Sequence, residues 1–236
     1  MQLTFRDILK IFQVSEKTVQ GWINKKGMPC VIANEQYCFN YINLLEWALE
    51  KDIKLTPEVL NLGETEFEGH ILSNALTRGD VHYDITGNNR EEVLKAVVNI
   101  LPLPREMNRD HLFEMLWVRE AMASTAFGNG IAIPHVRNPI VLHIDQPVVT
   151  VCFLRSPIDF KALDRKPVFI LFTVLSPSVK MHLALLARLA FCLQNPKMQD
   201  YLHRRASREE VLAEFFILEA KLDEYKNGNG KGEKIA

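Results

Sequence analysis

The run Val168–Leu175, VFILFTVL, carries no charge and is bounded by Arg165-Lys166-Pro167 before it and Ser176-Pro177 after it. It is the longest uninterrupted apolar stretch and is rich in β-branched and aromatic residues. That content between turn signals reads as a buried strand. It falls far short of the ~20 apolar residues that cross a bilayer, so no membrane insertion is expected. Strand patterns also occur at Ile131–Ile133 and Pro147–Leu154. Helical periodicity marks Glu91–Ile100, Asp110–Glu120, His182–Leu193 and Ser207–Tyr225. Alternation of this kind predicts an α/β fold, a mixed sheet layered by helices, over about residues 70–225.

The 28 Lys and Arg nearly balance 29 Asp and Glu, for a net charge of -1. Any attraction to nucleic acid or membrane must therefore be local. The four cysteines, Cys30, Cys38, Cys152 and Cys192, contain no CxxC pair. They form neither a disulfide framework nor a zinc pattern, and a cytoplasmic location is the plain expectation.

The first fifty residues have a different texture. Thr4 and Asp7 are spaced as a capping box, and Leu3 and Ile8 as a hydrophobic staple. The helix they open should bury Ile8, Leu9, Ile11 and Phe12. Ser15 is a good N-cap for a second helix that carries Val19, Trp22 and Ile23 and stops near Gly27. Cys30–Ala33 and Tyr37–Phe39 read as a small hairpin around Asn34-Glu35, and Tyr41–Lys51 as a third helix. Helix, tight turn, helix, hairpin, helix is the outline of a winged helix-turn-helix.

The segments VSEKTVQGWINKKGMPCV and YCFNYINLLEWAL resemble the excisionase/MerR-type DNA-binding domain. That resemblance implies a winged helix-turn-helix over residues 1–51. Lys17, Thr18, Gln20, Asn24, Lys25 and Lys26 would lie on or near the recognition helix, as candidates for phosphate or base contacts. Met1–Leu55 holds seven basic and six acidic residues, so DNA binding should be weak. Residues 52–69, with Pro57, Gly63, Gly69 and five acids, read as a linker, and residues 226–236 as a flexible tail.

The segment with the most chemical content is Val118–Arg137, VREAMASTAFGNGIAIPHVR. The Gly128-Asn129-Gly130 turn feeds a short strand that ends at Pro134-His135. Proline fixes φ and restricts its predecessor, so the imidazole sits on a stiff segment. A histidine there suits a nucleophile, a metal ligand or a satisfied core residue, and on composition alone the three stay open. A metal site shared by His135 and His182 lacks a third ligand at HExxH-type spacing. The Gly-Asn-Gly turn lacks the G-x-G-x-x-G step of a dinucleotide site. No metal and no cofactor are expected.

The whole segment resembles the phosphorylation motif of the fructose/mannitol-type IIA domains of the bacterial phosphotransferase system. The match runs through Arg119, Glu120, Ser124, Thr125, Gly128, Gly130, Ile131, Ala132, Ile133, Pro134 and His135. SPIDFKALDRKPVFILFTVLSPSVKMHLALLARLAFCL resembles the family's second half and places His182 on its helix histidine. The Leu-Asp-x-x-Pro-Val stretch leans towards the nitrogen-type regulatory IIA proteins. The resemblance implies that His135 accepts a phosphoryl group through Nε2 from a phosphorylated HPr-like or NPr-like carrier. Arg119 offers a planar fork for phosphate. His182, Ser124 and Thr125 are further donors. An Arg119–Glu120 ion pair of purely structural use is the bland alternative. A sugar-transport IIA passing phosphate to a IIB protein, and a transcriptional regulator whose IIA part is never phosphorylated, are the rival functions. A regulatory target protein and a homodimer stay open.

Overall fold

The computed structural model of the chain describes residues 2–33, 36–51, 53, 69–136 and 144–226. The expected linker, apart from Ile53 and Gly69, lies outside the described residues. So do the Asn34-Glu35 turn and the tail from residue 227.

Strand β1 (Gln2–Thr4) leads into α1 (Phe5–Phe12), and α2 (Glu16–Lys26) follows after a three-residue turn. Strands β2 (Val31–Ala33) and β3 (Gln36–Asn40) precede α3 (Tyr41–Glu50). The Thr4–Asp7 capping box forms in both directions, and Ser15 Oγ accepts from Thr18 N. Gln13 and Gly27 end the first two helices at positive φ, +49° and +64°. Ile8, Ile11 and Phe12 are buried, whereas Leu9 is only half-buried. The three strands make an antiparallel sheet in the order β1-β3-β2. Phe12, Trp22 and Trp47 meet edge-on or tilted, with centroids 5.3 to 6.4 Å apart. Such aromatic pairs contribute about 0.5–1.5 kcal/mol each beyond their buried area. The Trp47 indole N–H donates to the Lys26 carbonyl at 2.9 Å, which ties α3 to the end of α2.

From residue 71 the chain builds the α/β layer. Helix α4 (Ile71–Gly79) and strand β4 (Val81–Ile85) come first, then α5 (Arg90–Ile100) and α6 (Arg109–Met122). The hairpin β5 (Ala126–Gly128) and β6 (Ile131–Ala132) follows. Next come β7 (Val148–Ile158) and β8 (Val168–Leu175). Helices α7 (Val179–Leu193), α8 (Pro196–His203) and α9 (Arg208–Lys226) close the described chain. The five-stranded sheet has the order β4-β7-β8-β6-β5 and mixes parallel with antiparallel pairs.

The sheet is buried on both faces, and alternation along β7 and β8 decides which core each residue joins. Val149, Val151, Phe153, Ile170, Phe172 and Val174 face one core with α4, α7 and α9. Val148, Cys152, Leu154, Leu171 and Leu175 face the other with α5 and α6. The mixed sheet flanked by helices is as expected. Five elements, β1, α4, β4, β5 and α8, give no clear signal in the sequence, because they are short and mix apolar with polar residues. Strand β7 runs past its expected end at Leu154. The ladder shifts register after Phe153 and resumes at Ile158 opposite Val168, carrying Arg155-Ser156-Pro157 along as exposed extended chain.

Two fully buried charges tie the helices of the first core together. Glu219 of α9 accepts from Leu72 N, Ser73 N and Ser73 Oγ at the start of α4, at 2.6 to 2.8 Å. Its Oε1 also pairs with Arg188 of α7 at 2.9 Å. A carboxylate at a helix N-terminus satisfies orphan N–H groups and meets the positive end of the helix dipole. Removing one partner of such a pair strands the other charge in the interior. Arg188→Met should therefore lower unfolding free energy by about 3–5 kcal/mol, read as a shift in the urea midpoint at unchanged slope.

Candidate functional site

The hairpin β5–β6 delivers His135. Gly128 and Gly130 take φ of +100° and +77°, with Asn129 between them at +50°. A Cβ on Gly130 would lie 2.4 Å from the Phe169 ring, so glycine is required there for space as well as for conformation. The hairpin tip is clamped to the approach to β8. Asn129 N donates to Asp164 at 2.8 Å, and Lys166 Nζ donates to the Asn129 side chain at 2.9 Å. Beyond β6, Pro134 O accepts from Val174 N at 3.0 Å, and His135 forms an isolated parallel bridge with Val174. The histidine is thus registered against the end of the central strand.

A backbone contact fixes which ring nitrogen carries the hydrogen. His135 Nδ1 lies 2.8 Å from the Ile133 carbonyl oxygen. A carbonyl only accepts, so Nδ1 carries the hydrogen, and in the neutral ring the lone pair is on Nε2. His182, four residues into α7, places its ring centroid 5.2 Å from that of His135 at 50°. Both rings are shielded, with 5% and 2% of their residues' surface exposed.

Arg119 occupies the last turn of α6, where Nη1 donates to the Ala123 carbonyl at 2.8 Å. Glu120 pairs with Arg90 at 3.2 Å, in place of the Arg119–Glu120 ion pair that the sequence alone offered. Glu120 also accepts from Thr125 N at 3.0 Å and Thr125 Oγ1 at 2.5 Å. Ser124 Oγ donates to the Phe160 carbonyl at 2.6 Å and accepts from Ala126 N. Both hydroxyl protons are therefore engaged within the fold, and they hold the α6–β5 junction in shape. Thr125 O in turn accepts from Ile133 N at 2.9 Å, which sets this junction beside the strand that ends at His135. The Arg90–Glu120–Thr125 network escapes sequence reasoning, since Arg90 is thirty positions from Glu120.

The N-terminal candidates share α2. Lys17, Gln20, Asn24, Lys25 and Lys26 are exposed, and Thr18 is half-buried with its hydroxyl 2.9 Å from Ser15 Oγ. Gln20 Nε2 donates to the Tyr37 hydroxyl at 3.1 Å. Among the described residues no cluster of three His, Cys, Asp or Glu is placed to hold a metal, and no helix is long and apolar enough to cross a membrane.

Residues 74–217 match the family described as "Phosphoenolpyruvate-dependent sugar phosphotransferase system, EIIA 2". The chain belongs to this EIIA 2 family. It is 37% identical over 150 residues to a nitrogen regulatory protein of Pseudomonas aeruginosa, covering 62% of this chain and 94% of the relative. A nitrogen regulatory protein of Escherichia coli is 34% identical over 145 residues, covering 60% of this chain and 84% of the relative. The crystal structure of nitrogen regulatory protein IIA-Ntr from Neisseria meningitidis superposes with a TM-score of 0.55 at 26% identity. It covers 62% of this chain and 99% of that one. The EIIA 2 match begins in α4 and ends in α9, inside the expected limits of 70–225. Residues 2–53 lie outside it.

Burial raises the Glu120 carboxyl above its ordinary 4.5, against the lowering effect of Thr125 and Arg90. The folded chain then holds this proton more tightly than the unfolded chain. Ionisation consequently costs stability as pH climbs above 4.5. Glu120→Gln cannot ionise, so its stability relative to the parent should rise between pH 4.5 and neutrality, measured by urea unfolding at each pH.

Proposed function

We propose that this EIIA 2 chain is a phosphoacceptor of the nitrogen-type regulatory kind, which takes its phosphoryl group on His135 Nε2 from the phosphohistidine of an HPr-like or NPr-like carrier. The observation that carries the reading is the Nδ1 contact with the Ile133 carbonyl. It leaves the lone pair on Nε2 and holds the ring on a rigid strand end. In the transfer the P–N bond to the carrier breaks as a new P–N bond forms to Nε2. The carrier's imidazole leaves, and the hydrogen of His135 stays on Nδ1, still donated to the Ile133 carbonyl. Little covalent chemistry falls to the protein, so its contribution is position and compensation of the charge on three equatorial oxygens. His182, in the first turn of α7, can donate to those oxygens beside the positive end of that helix. Arg119 is the candidate guanidinium, and Ser124 and Thr125 act by shaping the junction next to it. The nitrogen regulatory relatives favour regulation over the rival role in sugar transport, in which phosphate passes on to a IIB protein.

Incubation with enzyme I, carrier and phosphoenolpyruvate should give acid-labile label that maps to His135 and is absent from His135→Ala. Label that survives this substitution would exclude the assignment. Arg119→Ala should slow transfer by about 10²–10³, and Arg119→Lys by less, because lysine keeps the charge and loses the fork.

For the N-terminal elements the reading is a MerR/excisionase-like winged helix over residues 1–51, joined by residues 52–69 to the IIA part. Its support is the order of helices and strands and the exposed polar face of α2, which bears Lys17, Asn24, Lys25 and Lys26. These lysines could neutralise two or three DNA phosphates, so log affinity should fall against log salt with a slope of roughly -2 to -3 per protomer. Gel shifts at several salt concentrations measure that slope. Absence of binding at low salt would remove the DNA reading and leave a protein-interaction role for these elements.

A further inference from the structure

Helix α7, which bears His182, meets water almost nowhere. From His182 to Leu193 only Phe191 is less than buried. A helix covered on every side needs partners on every side. The sheet lies on one face through β8, and α4, α8 and α9 lie on others. Among the described residues, further cover comes from α3 of the N-terminal elements, which packs against both α7 and β5.

Helical spacing and one hydrogen bond indicate the face that α3 meets. Leu183, Leu186, Ala187, Ala190 and Gln194 recur at helical spacing down one side of α7. At the far end of that stripe, Gln194 Nε2 donates to the carbonyl of Ile53, just beyond α3, at 3.2 Å. At its near end the stripe reaches Leu183, the next residue after His182, and Leu186, one turn beyond His182. Tyr41, Leu44 and Trp47 of α3 belong to the same buried apolar core as Phe127 of β5 and Leu183 and Leu186 of α7. Phe127 belongs to the hairpin that delivers His135. The N-terminal elements therefore rest on the two elements that hold the histidine pair.

The acceptor they adjoin is closed. A phosphohistidine on a carrier must bring phosphorus within about 3–3.5 Å of Nε2. An acceptor with 5% of its surface exposed offers such an approach only through local opening. We infer that the N-terminal elements are an autoinhibitory cover: α3, docked on β5 and α7, holds the His135–His182 pair shut, and phosphoryl transfer follows its release. This inference rests on the reading of His135 as the phosphoacceptor. It adds the regulation of that site, because whatever draws the N-terminal elements away also licenses the transfer.

Diethyl pyrocarbonate tests it without any phosphoryl donor, since the reagent acylates imidazoles that it can reach. Peptide mass spectrometry of the full-length chain would follow His135, with exposed His111 and His203 as internal references. In the parent, His135 should react at least about tenfold more slowly than His111, as expected for a group that reacts only through local opening. Leu186→Glu puts a charge into the α3-facing stripe, and Ile53→Asp does so at its rim, where the fold has less to lose. In whichever variant keeps a cooperative melt, His135 should react about tenfold faster with His111 unchanged. Parent His135 reacting as fast as His111 would overturn the inference. So would an unchanged His135 rate in both folded variants. Faster acylation with no phosphorylation of any variant would leave the cover standing and remove the acceptor role instead.

Discussion

Helix α7 has no side to give to water, and the rest of the molecule is arranged around that fact. Its sequence, VKMHLALLARLAFCL, has apolar residues around almost the whole circumference. Burying such a helix contributes more than any single ion pair here, since each fully buried Leu is worth about 1.5–3 kcal/mol. The cost is that four other helices and a strand must be brought to it. Arg188, on the same helix, would be intolerable in that setting without Glu219. Glu219 in turn lies at the N-terminus of α4, where backbone N–H groups complete its shell. One buried carboxylate thereby aligns α4, α7 and α9 against a single face of the sheet.

The site grows at the edge of this packing. Strand β8 sets the register of His135 through Val174, and a three-residue turn joins β8 to α7, which returns the chain at His182 beside it. Two rigid elements of the core therefore hold the histidine pair, and a mobile loop is not needed to assemble it. The junction on the other side is polar but closed. Glu120, Thr125, Arg90 and Ser124 satisfy one another or backbone groups. Their work is to keep Arg119 and the β5 hairpin in a fixed relation. The raised pKa of Glu120 is what this arrangement costs, because a carboxylate buried for shape loses its hydration.

The EIIA 2 match starts at residue 74, yet the physical unit does not end there. The aromatic cluster of α1, α2 and α3 could close on itself, but α3 also lends an apolar side to β5 and α7. If α3 covers the histidine pair as proposed, chemistry there and the state of the N-terminal elements are linked through shared buried surface. Coupling of this kind needs no long-range field. On that reading a docked α3 and an undocked one would be discrete states, and the histidine pair lies beside the elements that the docked helix touches.

Local order supplied much of this in advance. The Thr4–Asp7 box, the Ser15 cap, the Gly27 stop and the strand Val168–Leu175 are written in contiguous residues, where capping chemistry and periodicity act within one turn or one ladder. His135 after Pro134 was legible for the same reason: a Gly-Asn-Gly turn, a short apolar strand and a proline lie within eight positions. His182 as its neighbour came only from resemblance, since no rule of spacing joins residues forty-seven apart. Short edge strands such as β4 and β5 were lost because their apolar pattern is too brief to show a period. The partner of Glu120 is Arg90, not adjacent Arg119. Successive residues on a helix point about 100° apart, so neighbours in sequence face different surroundings. What the sequence alone determined is which segments form helices and strands and which histidine stands on a stiff strand end. What only the tertiary structure decided is which buried charges meet, which hydroxyls are already engaged, and that α3 lies against the helix of the second histidine. Those contacts depend on where separate elements dock, and docking sums weak apolar contacts over surfaces contributed by distant parts of the chain.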